Sequence, residues 1–193
     1  MEIGLYFGSF NPIHMGHLIL ANYIVEYSNL DEVWFVISPH NPLKQRAQLL
    51  DDYQRLHLVN LAIDDFPKFR SCDIEFRMPK PSYTIDTLAY LGEQYSEHHF
   101  TLIMGEDNLT TLHKWKNYEL LVENNKIMVY PRPNSKPSQF HNHKNVQLIN
   151  APQIDISSSF IRQSIAEGKN VRFFLPNKAW QYIDEMNFYK TKQ

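Results

Sequence analysis

Short apolar runs recur along the chain and are separated by longer stretches of mixed polarity. The run Val33–Ile37 is apolar at every position, which is typical of a strand that is covered on both faces of a sheet. Apolar runs of this kind predict strands at Ile3–Phe7, Val33–Ser38, Phe69–Phe76, His99–Met104, Lys126–Tyr130 and Val146–Ile149.

The stretches between these runs have the periodicity of helices. We expect helices at Gly16–Tyr27, Asp51–Ile63, Thr84–Tyr95, Trp115–Glu123, Ser158–Glu167 and Asn177–Asn187. The run Ser157-Ser158-Ser159 is a suitable N-cap for the fifth helix, and Gly168 is a suitable residue to end it. The alternation of strand and helix predicts an α/β fold, with an open, twisted parallel sheet, helices on both faces and a small helical part at the C-terminus.

In an open parallel sheet, ligands bind beyond the carboxyl ends of the strands, so the segments that follow the strands are the candidates for a site. Glycines, cations and helix starts gather in these segments, which are Gly8–His17, Pro39–Lys44, Gly105–Asn108, Pro131–Pro133 and Ile154–Arg162. This composition indicates a site for an anionic ligand. Residues 131–145 are rich in Pro, Ser, Asn, His and Lys, and we expect them to form a long surface loop.

The segment Gly8–His17 joins the first strand to the first helix through a tight glycine turn. Such a turn exposes backbone N–H groups and directs a helix N-terminus at the ligand, which suits a phosphate. A P-loop would need Gly-Lys-Ser/Thr where Ile13-His14-Met15 stands, and a dinucleotide fingerprint would need glycine at Phe10. Both motifs are therefore excluded, and the distinguishing residues are His14 and His17 at the start of the helix.

Composition narrows the class of protein. The chain has 193 residues with 19 basic and 21 acidic side chains, which argues against a dedicated nucleic-acid binder. A single cysteine, Cys72, excludes an internal disulfide. No apolar run is long enough to span a bilayer, and Met1 leads into the first strand without the basic region of a signal peptide. We expect one domain over residues 1–193, a cytoplasmic location and neither a nucleic-acid nor a membrane partner.

Two motifs at opposite ends of the chain resemble the signatures of a known superfamily. The letters GSFNPIHMGH at residues 8–17 resemble the (H/T)xGH signature of the nucleotidyltransferases. The letters SSSFIR at residues 157–162 resemble the second signature, ISSTxIR, with Ser159 in place of threonine and its hydroxyl kept. The resemblance implies a Rossmann-like fold and transfer of a nucleotidyl group.

The middle of the chain resembles one family within that superfamily. The letters PSYTIDTL at residues 81–88 are similar to the PSYTxDTL segment of the bacterial nicotinate-nucleotide adenylyltransferases. Gly105, Asp107 and Trp115 match their GxD…W segment, with Glu106 where a small residue is usual. Residues 132–133 match their RP element, and residues 171–183 resemble their C-terminal helix region. The family transfers AMP from ATP to nicotinate mononucleotide, giving deamido-NAD and pyrophosphate in NAD biosynthesis.

The resemblance also implies roles for individual residues. The catalytic residues would be His14, His17, Lys44 and Arg162. ATP would be bound by Gly8, Ser9, Phe10, Gly16, Gly105, Asp107, Ser157 and Ser158, and nicotinate mononucleotide by Tyr83, Thr84, Trp115 and Arg132. The acceptor phosphate is anionic near neutral pH, so attack on the α-phosphate of ATP needs no general base. Mg²⁺, the expected cofactor, would be held mostly by phosphate oxygens and water.

Each motif also has a simpler interpretation. Taken alone, His14 and His17 would be unremarkable polar residues at a helix start, and Trp115 would more often belong to the core. A relative that acts on nicotinamide mononucleotide or on pantetheine phosphate would share both phosphate motifs. A non-catalytic nucleotide sensor is the alternative from another class, and the presence of both histidines with Lys44 and Arg162 argues against it. The motifs at 81–88 and at Trp115 favour the nicotinate family.

Overall fold

The computed structural model describes residues 1–39, 49–133 and 135–191. Within these residues, six parallel strands form one sheet in the order β3-β2-β1-β4-β5-β6. The strands are β1 (Glu2–Gly8), β2 (Glu32–Ile37), β3 (Phe69–Cys72), β4 (His99–Gly105), β5 (Lys126–Tyr130) and β6 (Val146–Leu148). Gly8 is in register with Ile37, and Gly105 with Tyr130, so four strands end at one edge. The chain reverses its direction across the sheet between β1 and β4, which is the usual ligand site of such sheets.

Helices cover both faces of the sheet. One face carries α1 (Met15–Tyr27), α2 (Asp52–Ile63), α6 (Ser158–Ala166) and α7 (Asn177–Glu185), and the other carries α3 (Thr84–Gln94), α4 (Glu106–Thr111) and α5 (Tyr118–Asn124). Side chains alternate along each strand: Tyr6 and Phe35 pack in the first layer, whereas Leu5 and Trp34 pack in the second. The predicted α/β class with a parallel sheet between two helical layers is therefore confirmed.

Three local predictions were wrong. The strand predicted over Phe69–Phe76 ends at Cys72, because its partner β2 ends at Ile37, and Ile74–Phe76 forms a 3₁₀ turn instead. The helix predicted from Trp115 begins at Tyr118, since Asn117 is left-handed with φ of 49°. The helix α4 was not predicted, because its six residues are too few to show a period. The other predicted element ends match the structure or differ from it by at most two residues.

The C-terminal part packs on α2 and returns to the start of the chain. The rings of Tyr182 in α7 and His57 in α2 lie 4.6 Å apart. Beyond α7, the hydroxyl of Tyr189 donates to Asn11 Oδ1 at 2.7 Å. Both predicted ends of α6 are confirmed: the Ser157 side chain accepts from the Phe160 N–H, and Gly168 has a φ of 74°. None of the helices in the described ranges is long and apolar enough to cross a membrane.

Candidate active site

The turn after β1 is built around a buried aromatic ring. Phe10 adopts a φ of 43° and folds its side chain back over Gly8, where a Cβ would lie 2.9 Å from Phe10 Cζ. The Phe10 ring is almost fully buried and contacts Phe35 and His17 edge-on. The Gly8 carbonyl accepts from the Ser38 N–H at 2.9 Å, which joins this turn to the end of β2. Because its side chain belongs to the core, Phe10 has only its backbone to offer a ligand.

His14 and His17 stack on each other at the N-terminus of α1, with ring centroids 3.7 Å apart. The His14 N–H donates to His17 Nδ1 at 3.2 Å, so a neutral His17 carries its proton on Nε2. Burial, with the charge of Arg132, lowers the pKa of His14 to about 4. Burial, His14 and Arg132 lower the pKa of His17 well below its usual value. Both imidazoles are therefore neutral near pH 7 and can donate hydrogen bonds without carrying a charge.

Gly16 is the residue that lets the two rings sit at the helix start. A Cβ at Gly16 would lie 3.0 Å from His14 Nδ1, which is tighter than an ordinary contact. His14 Nδ1 is buried and has no hydrogen-bond partner in the described part of the chain. Gly16, both histidines and Arg132 line a small pocket, completed by Tyr6, Leu20, Tyr130, Pro131, Pro133, Pro152, Ile154 and Ile156.

The second signature motif contacts the first directly. The Ser158 hydroxyl donates to the Pro12 carbonyl at 2.9 Å, and Arg162 Nη1 donates to the Asn11 carbonyl at 2.8 Å. Arg162 Nε is buried and has no hydrogen-bond partner among the described residues. Ser157 uses its side chain to cap α6. Two segments about 150 residues apart, which the sequence paired only by resemblance, thus form one surface at the edge of the sheet.

Gly105 allows two charged side chains to approach the end of β4. A Cβ at Gly105 would overlap Asp107 Oδ1 and lie 3.1 Å from Arg132 Cγ. Arg132 Nε lies 3.9 Å from Asp107 Oδ1, and Arg132 Nη2 donates to the Tyr130 hydroxyl at 3.2 Å. Glu106, where the sequence departs from the family pattern, accepts from the Arg132 N–H at 3.3 Å. Glu106 therefore stabilises the segment that carries Arg132.

Tyr83, Thr84 and Trp115 lie apart from the histidine pocket. Tyr83 precedes the first residue of α3 and is 42% exposed. Lys116, next to Trp115 in the chain, places its Nζ 4.6 Å from the Tyr83 ring centroid and 2.8 Å from Asp86 Oδ2. Trp115 is half-buried against the core below α3, so core packing is part of its role. Tyr83 and the segment that carries Trp115 are therefore neighbours in the fold, and the Tyr83 ring is partly exposed to solvent.

Arg55 is a site residue that sequence reasoning missed. This guanidinium is fully buried, and its Nη1 donates to the carbonyls of Ser9 at 2.5 Å and Ser38 at 2.8 Å. It thereby ties the turn after β1 to the end of β2. Its sequence carries one signal of this role: Arg55 lies three positions before Leu58, on the apolar face of a predicted helix, where a charged side chain is unusual. Lys44, predicted to be catalytic, belongs to residues 40–48 and lies outside the described residues.

The residues that the structure describes contain no metal site made only of side chains. Among the described residues, no cluster of three or more His, Cys, Asp or Glu side chains could hold a metal ion. Asp107, beside the pocket, has a side chain that is 60% exposed, and its neighbour Glu106 accepts a hydrogen bond from the Arg132 N–H. Mg²⁺ commonly binds through substrate phosphates, one or two carboxylates and water, and the residues present fit an ion that arrives with a triphosphate.

Known proteins resemble the whole chain. A family model described as cytidylyltransferase-like matches residues 5–164. A probable nicotinate-nucleotide adenylyltransferase of Flavobacterium psychrophilum is 58% identical over 192 residues, which cover 98% of this chain and 100% of the relative. One of the same name from Bacteroides thetaiotaomicron is 48% identical over 96% of this chain and 92% of its own length. The chain belongs to the nicotinate-nucleotide adenylyltransferase family.

Solved structures agree with this family in fold. The Plasmodium falciparum nicotinic acid mononucleotide adenylyltransferase complexed with NaAD superposes with a TM-score of 0.82 at 22% identity, over 97% of each chain. A putative nicotinate-nucleotide adenylyltransferase from Vibrio parahaemolyticus gives 0.74 at 20% identity, over 99% of this chain and 96% of its own. At these identities the likeness shows the fold alone, which is the Rossmann-like nucleotidyltransferase fold expected of this adenylyltransferase.

Proposed function

We propose that residues 1–193 act as one domain that transfers AMP from ATP to nicotinate mononucleotide and releases deamido-NAD and pyrophosphate. The relatives named above support the activity, and one structural neighbour is a complex with NaAD. The observation that carries the proposal is the joining of the two signature motifs. Ser158 and Arg162 bond to the backbone between Phe10 and Ile13, beside the neutral pair His14 and His17.

ATP would bind along the edge formed by the two motifs. The backbone of Gly8, Ser9 and Phe10 would approach the α-phosphate, since the Phe10 side chain is committed to the core. The N-terminus of α6, with Ser157 and Ser158, would face the β- and γ-phosphates, because helix N-termini attract anions. Arg162 would reach the same phosphates through its unpartnered Nε and its fork of N–H groups. Gly105 and Asp107, at the end of β4, would lie beside the ribose and adenine.

His17 is our candidate for the transition-state contact. Its Nδ1 is occupied by the His14 N–H, which leaves Nε2–H to donate to a phosphate oxygen. Because the pKa values of both histidines are low, both side chains would stay neutral during the reaction and would act as hydrogen-bond donors, without transferring a proton. Lys44 would add a mobile positive charge. Mg²⁺, held through the phosphates, would neutralise charge that grows on the leaving pyrophosphate.

The acceptor would bind between the histidine pocket and α3. The Tyr83 ring and Trp115 would stack on the pyridine, and the backbone N–H groups in the first turn of α3, which begins at Thr84, would bind the carboxylate. Arg132, between Asp107 and the histidines, would bind the mononucleotide phosphate and bring it toward the α-phosphate of ATP. The attacking oxygen is already anionic, so positioning and charge neutralisation supply the catalysis.

One assay tests the reaction and its acceptor. Pyrophosphate release from ATP and Mg²⁺ should depend on nicotinate mononucleotide, and kcat/KM should be higher for it than for nicotinamide mononucleotide, because a neutral amide uses the helix N-terminus less well. A higher kcat/KM for the amide, or release that depends on pantetheine phosphate, would assign the chain a different acceptor. If the protein binds ATP but releases no pyrophosphate with any of these acceptors, the result would support the alternative function of a non-catalytic nucleotide sensor.

A second experiment tests the role of His17. The His17→Ala variant should lose about 10²–10³-fold in kcat while it keeps its fold, by analogy with the loss of one oxyanion donor. His113→Ala is the matched control, because His113 is exposed in a 3₁₀ turn away from the pocket. Near-normal turnover of His17→Ala would remove this residue from the mechanism.

A further inference from the structure

Glu75 is a buried carboxylate that none of the roles above uses. It lies in the 3₁₀ turn between β3 and α3 and is 3% exposed. Its Oε1 accepts from Thr87 Oγ1 at 2.8 Å and its Oε2 accepts from Ser82 Oγ at 3.1 Å, and the Ser38 hydroxyl lies near enough to lower the pKa of the carboxyl. In the described part of the chain three hydroxyl groups surround it, two of them as hydrogen-bond donors, and it has no cationic partner. A carboxylate in such a place is costly, which calls for a reason beyond stability.

The three hydroxyls belong to two places at the proposed active site. Ser38 directly follows β2, and its backbone is held by Gly8 and Arg55. Ser82 and Thr87 lie on either side of the acceptor residues Tyr83 and Thr84. Glu75 therefore connects the end of β2, beside the phosphate turn, to the start of α3.

Thr87 extends this connection to Tyr83 through its backbone N–H, which donates to the Tyr83 carbonyl at 3.1 Å. Its hydroxyl lies 2.8 Å from Glu75 Oε1 and 3.2 Å from the Tyr83 carbonyl, but it has one proton to give. The Glu75 carboxylate, as the closer acceptor, accepts this hydrogen bond, and the Tyr83 carbonyl accepts from the backbone N–H groups of Asp86 and Thr87. Burial raises the pKa of Glu75, and the hydroxyls of Thr87, Ser38 and Ser82 oppose the increase.

We propose that Glu75 is a positioning residue for the acceptor mononucleotide, which holds Tyr83 and Thr84 at a fixed distance from the end of β2. It does not touch substrate. It keeps the Tyr83 ring and the first N–H groups of α3 in place, so less of the binding free energy is lost in ordering them. This role rests on the proposed function, because it assigns the acceptor to the start of α3.

Steady-state kinetics distinguish positioning from stability. Glu75→Leu removes the acceptor at similar volume and should raise KM for nicotinate mononucleotide about tenfold, with KM for ATP within about twofold of wild type. Ser82→Ala, at a half-buried position, should raise the same KM about threefold. Glu75→Gln keeps one acceptor oxygen and should restore most of the affinity. Glu93→Gln is the control, because Glu93 is exposed on α3, and it should change neither KM.

Hydrogen exchange tests the same role without substrate. The backbone amides of residues 82–87 should exchange faster in Glu75→Leu and Ser82→Ala than in wild type or Glu93→Gln. A lower Tm with both KM values unchanged would overturn the proposal, as would equal exchange of residues 82–87 in Ser82→Ala and wild type. If wild type itself forms no deamido-NAD, the proposed function fails, and the exchange rates still decide whether Glu75 orders this segment.

Discussion

The stacked histidines predict that the protein loses stability in mild acid. His14 is 4% exposed, and burial with the charge of Arg132 lowers its pKa from the ordinary 6.5 to about 4. Between these two values, the unfolded chain binds a proton that the folded chain does not. Stability therefore rises with pH across this window and falls as the pH drops from 6.5 toward 4.

The size of this effect follows from the two pKa values. With 6.5 in the unfolded chain and about 4 in the folded protein, proton linkage at His14 makes the free energy of unfolding about 2 kcal/mol smaller at pH 5 than at pH 7. His17 acts in the same direction, because its pKa is lowered by burial, by His14 and by Arg132. The expected loss is large beside a total stability of about 5–15 kcal/mol for a typical domain.

Urea unfolding of wild type and His14→Asn at pH 7 and pH 5 measures this term. Asparagine is a favoured N-cap and does not titrate, so the variant keeps the start of α1 and removes the proton site. Wild type should lose about 2 kcal/mol more than the variant between the two pH values. Carboxylates titrate in both proteins and cancel in the comparison. An equal loss in wild type and variant would refute a neutral, buried His14.

Three further perturbations test the contacts around the site. Gly105→Ala should lower kcat/KM about 10²-fold, because its Cβ would lie 3.1 Å from the side chain of an arginine of the site. The control Gly92→Ala should leave kcat/KM unchanged, since a Cβ there has nothing within 4 Å. Equal activity of the two variants would contradict the close approach at Gly105. Tyr189→Phe should cost about 1 kcal/mol in urea unfolding through the lost bond to the first loop, and the exposed control Tyr27→Phe should cost nothing measurable. Arg55→Met should cost about 3 kcal/mol, because buried carbonyls lose their donor, and a variant as stable as wild type would disprove that support.

Local pattern determined most of the secondary structure. The apolar runs are strands because a buried strand needs several consecutive apolar residues, and the run Val33–Ile37 lies in β2 as predicted. The pattern failed where tertiary pairing or length decides: β3 stops at Cys72 because its partner ends, and the six-residue helix α4 is too short to show a period. The order of the strands is likewise a matter of packing, since each apolar run would fit any central position of the sheet.

For the site, the sequence by itself determined which motifs are present and the family to which they belong, because short signatures such as residues 8–17 and 157–162 are local in the chain. Only the tertiary structure decided what supports them. Arg55 bonds to a carbonyl 46 residues away, and Tyr189 to a side chain 178 residues away. Such contacts leave no periodic trace in the sequence, because they depend on which buried polar groups the packed sheet brings within hydrogen-bond distance. Burial also made His14 and His17 neutral, a property set by their surroundings in the fold.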